Sequence, residues 1–252
     1  MNKEAHIKAA VAAAFSAAAG SYDAAAGVQR RVAGELAQRI ARLPLDQPRV
    51  LEIGCGTGFL SRELLALDPR ELLLTDIAPT MIERCRATLA PSTKMRFAVL
   101  DGEQSESADD GFDLICSSMT FQWFDDLAGA LARLARQLAP GGTLAFATLA
   151  TDSFREWRDA HEVLGLTAAT RTYPSVAALR TMLPGLNVEE QYLTHHSATG
   201  HTFLAQLRQI GAHLPEIGHK PLSAGALRSV LRRFAGGIDV TYHVAFGTWT
   251  RS

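Results

Sequence analysis

The residues best suited to chemistry sit at the ends of apolar runs. Gly54, Gly56 and Gly58 follow such a run in "VLEIGCGTGFL", residues 50 to 60. Glycine permits a tight turn with positive φ and leaves backbone bare where a side chain would block a ligand. Asp76 closes the next run, "ELLLTD", about 20 residues on, where an acid can accept hydrogen bonds from both hydroxyls of a ribose. Asp101 closes a third run, "MRFAVLD", placed to orient an adenine amine with help from the backbone of Gly102 and Glu103. Singly, these features are ordinary. Glycines make turns, an aspartate at a strand end often caps the next turn or helix, and Glu52 within its apolar run reads as a buried acid held by backbone donors. Together they point to an adenosine-containing ligand. The G-x-G-x-G spacing departs from the G-x-G-x-x-G of nicotinamide-binding turns.

These positions require particular elements. "RVLEIGCG" reads as a buried strand of a parallel sheet, followed by a helix over "FLSRELLAL". "ELLLTD", "MRFAVLD", "FDLICSS" and "TLAFATL" supply four more strands. "APTMIERCRATLA" and the amphipathic "LAGALARLARQLA", stopped by "PGG", supply helices between them. Strand–helix alternation predicts an α/β fold, a doubly wound, mostly parallel sheet covered on both faces. Ahead of it, helices are predicted over 5–18, with Ile7, Val11 and Phe15 on one stripe, and from about Ala24 to Leu43. Beyond residue 149 the rhythm changes. Residues 153–183 read as helical with a break at Pro174, 202–235 as mostly helical, and "NVEEQYLTHH" and "IDVTYHVAFGTWT" as strands. The expected organisation is a single seven-stranded domain over 1–252. Its core is 46–150, completed by 186–196 and 238–252, with helical caps at 1–45, 151–185 and 197–237.

Composition sets bounds. The chain has 252 residues, 47% hydrophobic and 20% charged, with formal net charge −1. No global field attracts nucleic acid or an anionic membrane, and no run reaches the roughly 18 apolar residues of a membrane span. Polar residues interrupt the alanine-rich start, which argues against a signal peptide. Cys55, Cys85 and Cys116 are scattered, form neither zinc spacing nor disulfide framework, and fit a reducing cytoplasm as buried fillers. No metal site is expected.

"LEIGCGTG", "LTDIAPTMIERCR", "DGE", "FDLICSS" and "LAPGGTLAF" match in order the class I S-adenosylmethionine-dependent methyltransferases, which the chain resembles from about 48 to 150. The flanks narrow the resemblance. "AFSAAAGSYDAAAGVQRRVAGEL", the "FQW" after the fourth strand, "QLRQIGA" and "TYHVAFGTWTR" look like the malonyl-acyl carrier protein O-methyltransferases of biotin synthesis, over nearly the whole chain. Thr120 and Phe121 depart from the small or aliphatic residues usual before Gln122.

The resemblance implies S-adenosylmethionine as donor and S-adenosylhomocysteine as product. Glu52 and the glycines would surround its amino-acid end, and Ser117 is a further cofactor-binding candidate. Asp76 would hold the ribose; Asp101, Gly102 and Glu103 the adenine, with apolar contact from Ile77 and Met81. It places Tyr22 over the donor and Gln122 near the acceptor, where an amide would hold a carboxylate without neutralising it. Trp123, Arg155, Tyr242 and His243 are further candidates for the acceptor pocket. The acceptor would be malonyl-acyl carrier protein or malonyl-CoA. Arg228, Arg232 and Arg233, or Arg30 and Arg31, would meet an acidic carrier. Another carboxyl or quinone methyltransferase, a non-catalytic binding protein and a nicotinamide oxidoreductase stand as rival readings.

Overall fold

Strand–helix alternation builds the expected sheet. The computed structural model describes residues 3–104, 111–216 and 218–252. Seven strands, β1 (Arg49–Ile53), β2 (Glu71–Asp76), β3 (Met95–Val99), β4 (Phe112–Ser118), β5 (Leu138–Leu149), β6 (Asn187–Ser197) and β7 (Ile238–Thr250), lie in the order β3-β2-β1-β4-β5-β7-β6. β1 to β5 run parallel, while β7 is antiparallel to both β5 and β6. Strand order reverses between β1 and β4, so the crevice at their carboxyl ends is where a doubly wound sheet binds its ligand.

The apolar runs are continuous because both faces of each central strand are covered. From β1 and β2, Val50, Leu72 and Leu74 face one layer, packed by α3 (Gly27–Ile40), α4 (Phe59–Leu64) and α5 (Pro79–Thr88). Leu51, Ile53 and Leu73 face the other, packed by α6 (Leu127–Gln137) and α8 (Val176–Met182). Asp126 caps α6 by accepting the Gly129 N–H at 2.9 Å, and Leu127, Leu131 and Leu134 form its buried stripe. The caps comprise α1 (Lys3–Ala18), α2 (Tyr22–Ala25), α7 (Arg155–Glu162), α9 (Gly200–Gln209) and α10 (Ala224–Arg232). Among the described residues no helix is long and apolar enough to cross a membrane.

Several expected boundaries move. The helix expected from Ala24 to Leu43 is two, because fully buried Ala26 leaves helical geometry (φ −89°, ψ 43°) and turns α2 into α3. "PGG" does not merely stop α6; it lies inside β5 as a bulge, with Phe112 opposite Leu138 and Leu114 opposite Thr143. There a Cβ on Gly142 would come within 2.6 Å of the Phe112 carbonyl oxygen, so only glycine lets the strands approach. Residues 163–175, 210–216 and 218–223 are not helical, so each cap stretch holds two short helices rather than one broken run. The acidic, serine-rich loop read at 102–111 has residues 105–110 outside the described residues.

Phe146 of β5 is fully buried, its ring tilted against that of Phe121 with centres 5.2 Å apart. Phe146→Ala should lower unfolding stability by about 3–5 kcal/mol, read from the denaturant midpoint at unchanged slope.

Candidate active site

β1 delivers the chain into a turn of three left-handed glycines. Gly54 has φ +71°, and a Cβ there would fall 2.1 Å from the Thr120 hydroxyl, so the loop after β4 can close over it only if it is bare. Gly56 has φ +54° and open space where a Cβ would stand. Asp76 fixes the turn: its Oδ2 accepts the Gly56 N–H at 3.0 Å and its Oδ1 the Ala78 N–H at 2.8 Å. Asp76 is buried, and burial raises its pKa against the pull of these backbone donors. Each carboxylate oxygen keeps a further lone pair for an outside donor.

Two small cavities meet this turn, and both touch Gly54. The first is lined by Lys8, Asp76, Ile77, Asp101, Gly102 and Trp123 among others. The second is lined by Tyr22, Gln29, Glu52, Gly56, Thr57 and Ser118, among others. In the second, the Ser118 hydroxyl is buried and lacks a hydrogen-bond partner among the described residues, which leaves it ready for a polar ligand atom. A bare turn, an acid with free lone pairs and an unsatisfied hydroxyl fit a nucleoside carrying an amino-acid group.

A third cavity, of about 400 Å³, lies beside them under the caps. It shares Trp123 with the first cavity and Gln29 with the second. Its walls are largely apolar: Met119, Phe154, Trp157, Leu204, Leu207 and Tyr242 contribute. Its charged or titratable lining comprises Arg171, Arg208 and the histidines 161, 213 and 219, with tyrosines but no acid among the described residues. Arg171 pairs with Asp125 at 2.9 Å and places its guanidinium 5.8 Å from the Trp123 ring centre. Met119, at the end of β4, holds φ +56°, a conformation that a side chain rarely adopts and that structures tolerate at functional sites.

The methyltransferase domain family matches residues 51–146. A malonyl-acyl-carrier protein O-methyltransferase of Magnetococcus marinus is 45% identical across 92% of the chain and 89% of its own length. The chain belongs to the malonyl-acyl-carrier protein O-methyltransferase family. The biotin biosynthesis bifunctional protein BioCD of Bordetella avium is 50% identical across 96% of the chain, which spans about half (52%) of that relative. A solved S-adenosylmethionine-dependent methyltransferase of Mesorhizobium loti shares the fold, with TM-score 0.53 at 17% identity over 84% of this chain and 95% of its own.

In this methyltransferase the sequence candidates divide. Glu52, Gly54, Gly56, Asp76, Ile77, Asp101, Gly102 and Tyr22 line the two small cavities, and Gln122, Trp123 and Tyr242 line the large one. Gly58 turns the chain into α4 with φ +95° but lines neither small cavity. Others are held elsewhere. Ser117 donates to the Ile53 carbonyl at 2.9 Å; alternation along β4 sends the next hydroxyl, Ser118, into the cavity instead. Met81 is buried behind Phe15 and Tyr22. The Glu103 carboxylate accepts the Asp125 and Asp126 N–H groups at 2.9 and 2.6 Å and pairs with Lys8, which makes it a brace for the loop after β4. Arg155 is exposed beside Glu156. His243 lies on the face of β7 opposite Tyr242, bonded to Glu190 at 2.8 Å and stacked on Tyr192. Arg171 and Arg208 escaped the sequence reading, and Gln29 entered it only as part of the N-terminal stretch that carries the resemblance, since only the fold brings the three to a cavity. Among the described residues no three metal-binding side chains cluster.

Glu52 is held not by backbone but by the Ser61 hydroxyl, at 2.6 Å. Burial, more than the nearby Cys85 and Asp76, pushes its pKa from 4.5 up to about 8, partly offset by that hydroxyl. The folded state therefore keeps a proton that the unfolded chain releases. Stability should fall as pH rises from about 4.5 to about 8, at a slope approaching about 1.4 kcal/mol per unit. Glu52→Gln should flatten that slope in denaturation measured across the window.

Proposed function

We propose that the protein transfers a methyl group from S-adenosylmethionine to the free carboxylate of a malonyl thioester on acyl carrier protein. The observation that carries this reading is the pairing of an acid-lined small cleft with an adjoining cavity whose charged side chains are all basic. Asp76 would hold the ribose hydroxyls, Asp101 and Ile77 the adenine, and Ser118 with the Gly54–Gly56 backbone the amino-acid end. When bound, the donor supplies a methyl group on positively charged sulfur, released to a carboxylate oxygen to leave S-adenosylhomocysteine and a methyl ester.

The acceptor carboxyl, with a pKa of around 4 or below, is already an anionic nucleophile at neutral pH, so no proton has to move. The chain's tyrosines fit that economy. Burial beside Asp76 and Asp23 raises the Tyr22 pKa, and burial raises those of Tyr173 and Tyr242, so all three stay protonated and serve as walls or hydrogen-bond donors. Arg171 draws the carboxylate inward while its bond to Asp125 moderates its charge. Apolar walls keep water out, and in a dry pocket alignment alone lowers the barrier by up to about 7–11 kcal/mol. Tyr22, tilted against Phe59 with ring centres 6.1 Å apart, covers the donor side.

The carrier would dock where the large cavity opens. Residues 200–237 contain Arg208, Lys220, Arg228, Arg232 and Arg233 against one acid, Glu216. Arg30 and Arg31, the other candidates, are already engaged with the Asp23 carbonyl and Glu35. Opposite charge speeds encounter with an acidic carrier more than it tightens the final complex. Charge reversal at Arg228, Arg232 and Arg233 together should raise KM for malonyl-carrier protein roughly tenfold or more, flatten its salt dependence and leave malonyl-CoA methylation unchanged in steady-state assays.

The activity itself is tested with methyl-labelled donor and malonyl-, succinyl- and acetyl-carrier protein. Label should enter a base-labile methyl ester with the malonyl form alone. Label in a base-stable ether on a quinol would instead assign a hydroxyl acceptor, with the large cavity's histidines 161, 213 and 219 as candidate bases.

A further inference from the structure

A methyl group can cross only where the donor's seat opens into the acceptor's. The small cavity beside Gly54 and Gly56 and the cavity of about 400 Å³ share Gln29 on α3. Its carboxamide makes no hydrogen bond among the described residues, although it is polar and half-buried. The amide that the sequence favours for this task is occupied: Gln122 donates to the Met119 carbonyl at 2.7 Å and accepts from the Thr148 hydroxyl at 3.4 Å. Gln122 thus fixes the strained turn after β4 and has little left to offer a substrate.

Resting on the proposed methyl transfer to a malonyl carboxylate, we propose that Gln29 orients that carboxylate for attack. Its NH₂ group would donate to the non-attacking oxygen, fixing the other oxygen toward the methyl carbon. A carboxamide suits this place on charge grounds. An arginine there would neutralise the nucleophile and repel a sulfonium, and a carboxylate would repel the acceptor. The cavity's cations, Arg171 and Arg208, attract the acceptor, which leaves its orientation to a neutral group.

The test compares Gln29→Leu, Gln29→Asn and Gln29→Glu with the wild type. Two quantities are read: kcat/KM for malonyl-carrier protein, and the affinity for S-adenosylhomocysteine by calorimetry. Gln29→Leu should lower kcat/KM roughly 10- to 100-fold, the worth of one hydrogen bond to a charged group. Gln29→Glu, nearly the same size, should lower it further, and product affinity should stay within about twofold in both. Gln29→Asn, an amide too short to reach, should resemble Gln29→Leu and carries the test if the leucine variant does not fold. Wild-type kcat/KM in the variants would overturn the assignment, as would equal losses from leucine and glutamate, the mark of a packing role. Product affinity falling in step with kcat/KM would overturn it too, by placing Gln29 on the donor. A wild-type protein silent toward malonyl-carrier protein would strike the proposed function itself, whereas an active wild type with active variants strikes Gln29 alone.

Discussion

One buried carboxylate holds two strand ends together. Asp76 closes β2, yet its oxygens bind the Gly56 N–H of the turn after β1 and the Ala78 N–H that leads into α5. Without it the turn would carry unpaired donors at the one place where side chains are missing, and buried donors of that kind cost about 1–3 kcal/mol each. Burial makes the charge expensive, and the backbone bonds only partly compensate, which is why its pKa lies above the ordinary value. Such a group gains further when outside hydroxyls donate to it. The same atom pairs that fix the loop would therefore present it to the ribose of the proposed donor.

Charge is sorted along the cleft. Asp76 and Asp101 border the small cavities beside a Glu52 that burial keeps protonated at neutral pH, whereas the large cavity has Arg171 and Arg208 and no acid among the described residues. A cation is favoured on one side and an anion on the other, with Trp123 and Gln29 at the boundaries. α1 closes the first small cavity: Lys8 pairs with Asp101 and Glu103, and the Phe15 ring meets Trp123 edge-on at 5.3 Å. Transfer between opposite charges consumes both of them, so a dry, pre-aligned cleft suits the reaction better than a general base.

The turn and the acids proposed to hold the donor were legible because they depend on local chemistry. A bare glycine turn and acids at strand ends follow from residue type and from where an apolar run stops, and both survive in the structure. Parity decided Ser117 against Ser118: strand type was clear, but which hydroxyl faces the cleft depends on a face that only the neighbouring layers define. Glu103 and His243 read as free polar groups because their partners lie far along the chain, at Lys8 and Glu190, and Gln122 because the turn that brings it to the Met119 carbonyl forms only in the fold. Arg171 was invisible for the complementary reason, since it sits on an unremarkable stretch that folding carries to a cavity, and Gln29 lay in the N-terminal stretch that carries the resemblance without any sign of which cavity it would face. The "PGG" stretch shows the limit for backbone: a helix stop and a strand bulge demand the same residues.

The grip of Asp76 on a sugar is tested most directly by a thermodynamic cycle. Calorimetry would compare S-adenosylhomocysteine with its analogue lacking both ribose hydroxyls, on the wild type and on Asp76→Asn. The account predicts that removing the hydroxyls weakens binding to the wild type by about 10- to 100-fold but changes binding to the variant little, a coupling of about 1.5–3 kcal/mol. Equal losses in the two proteins would contradict it.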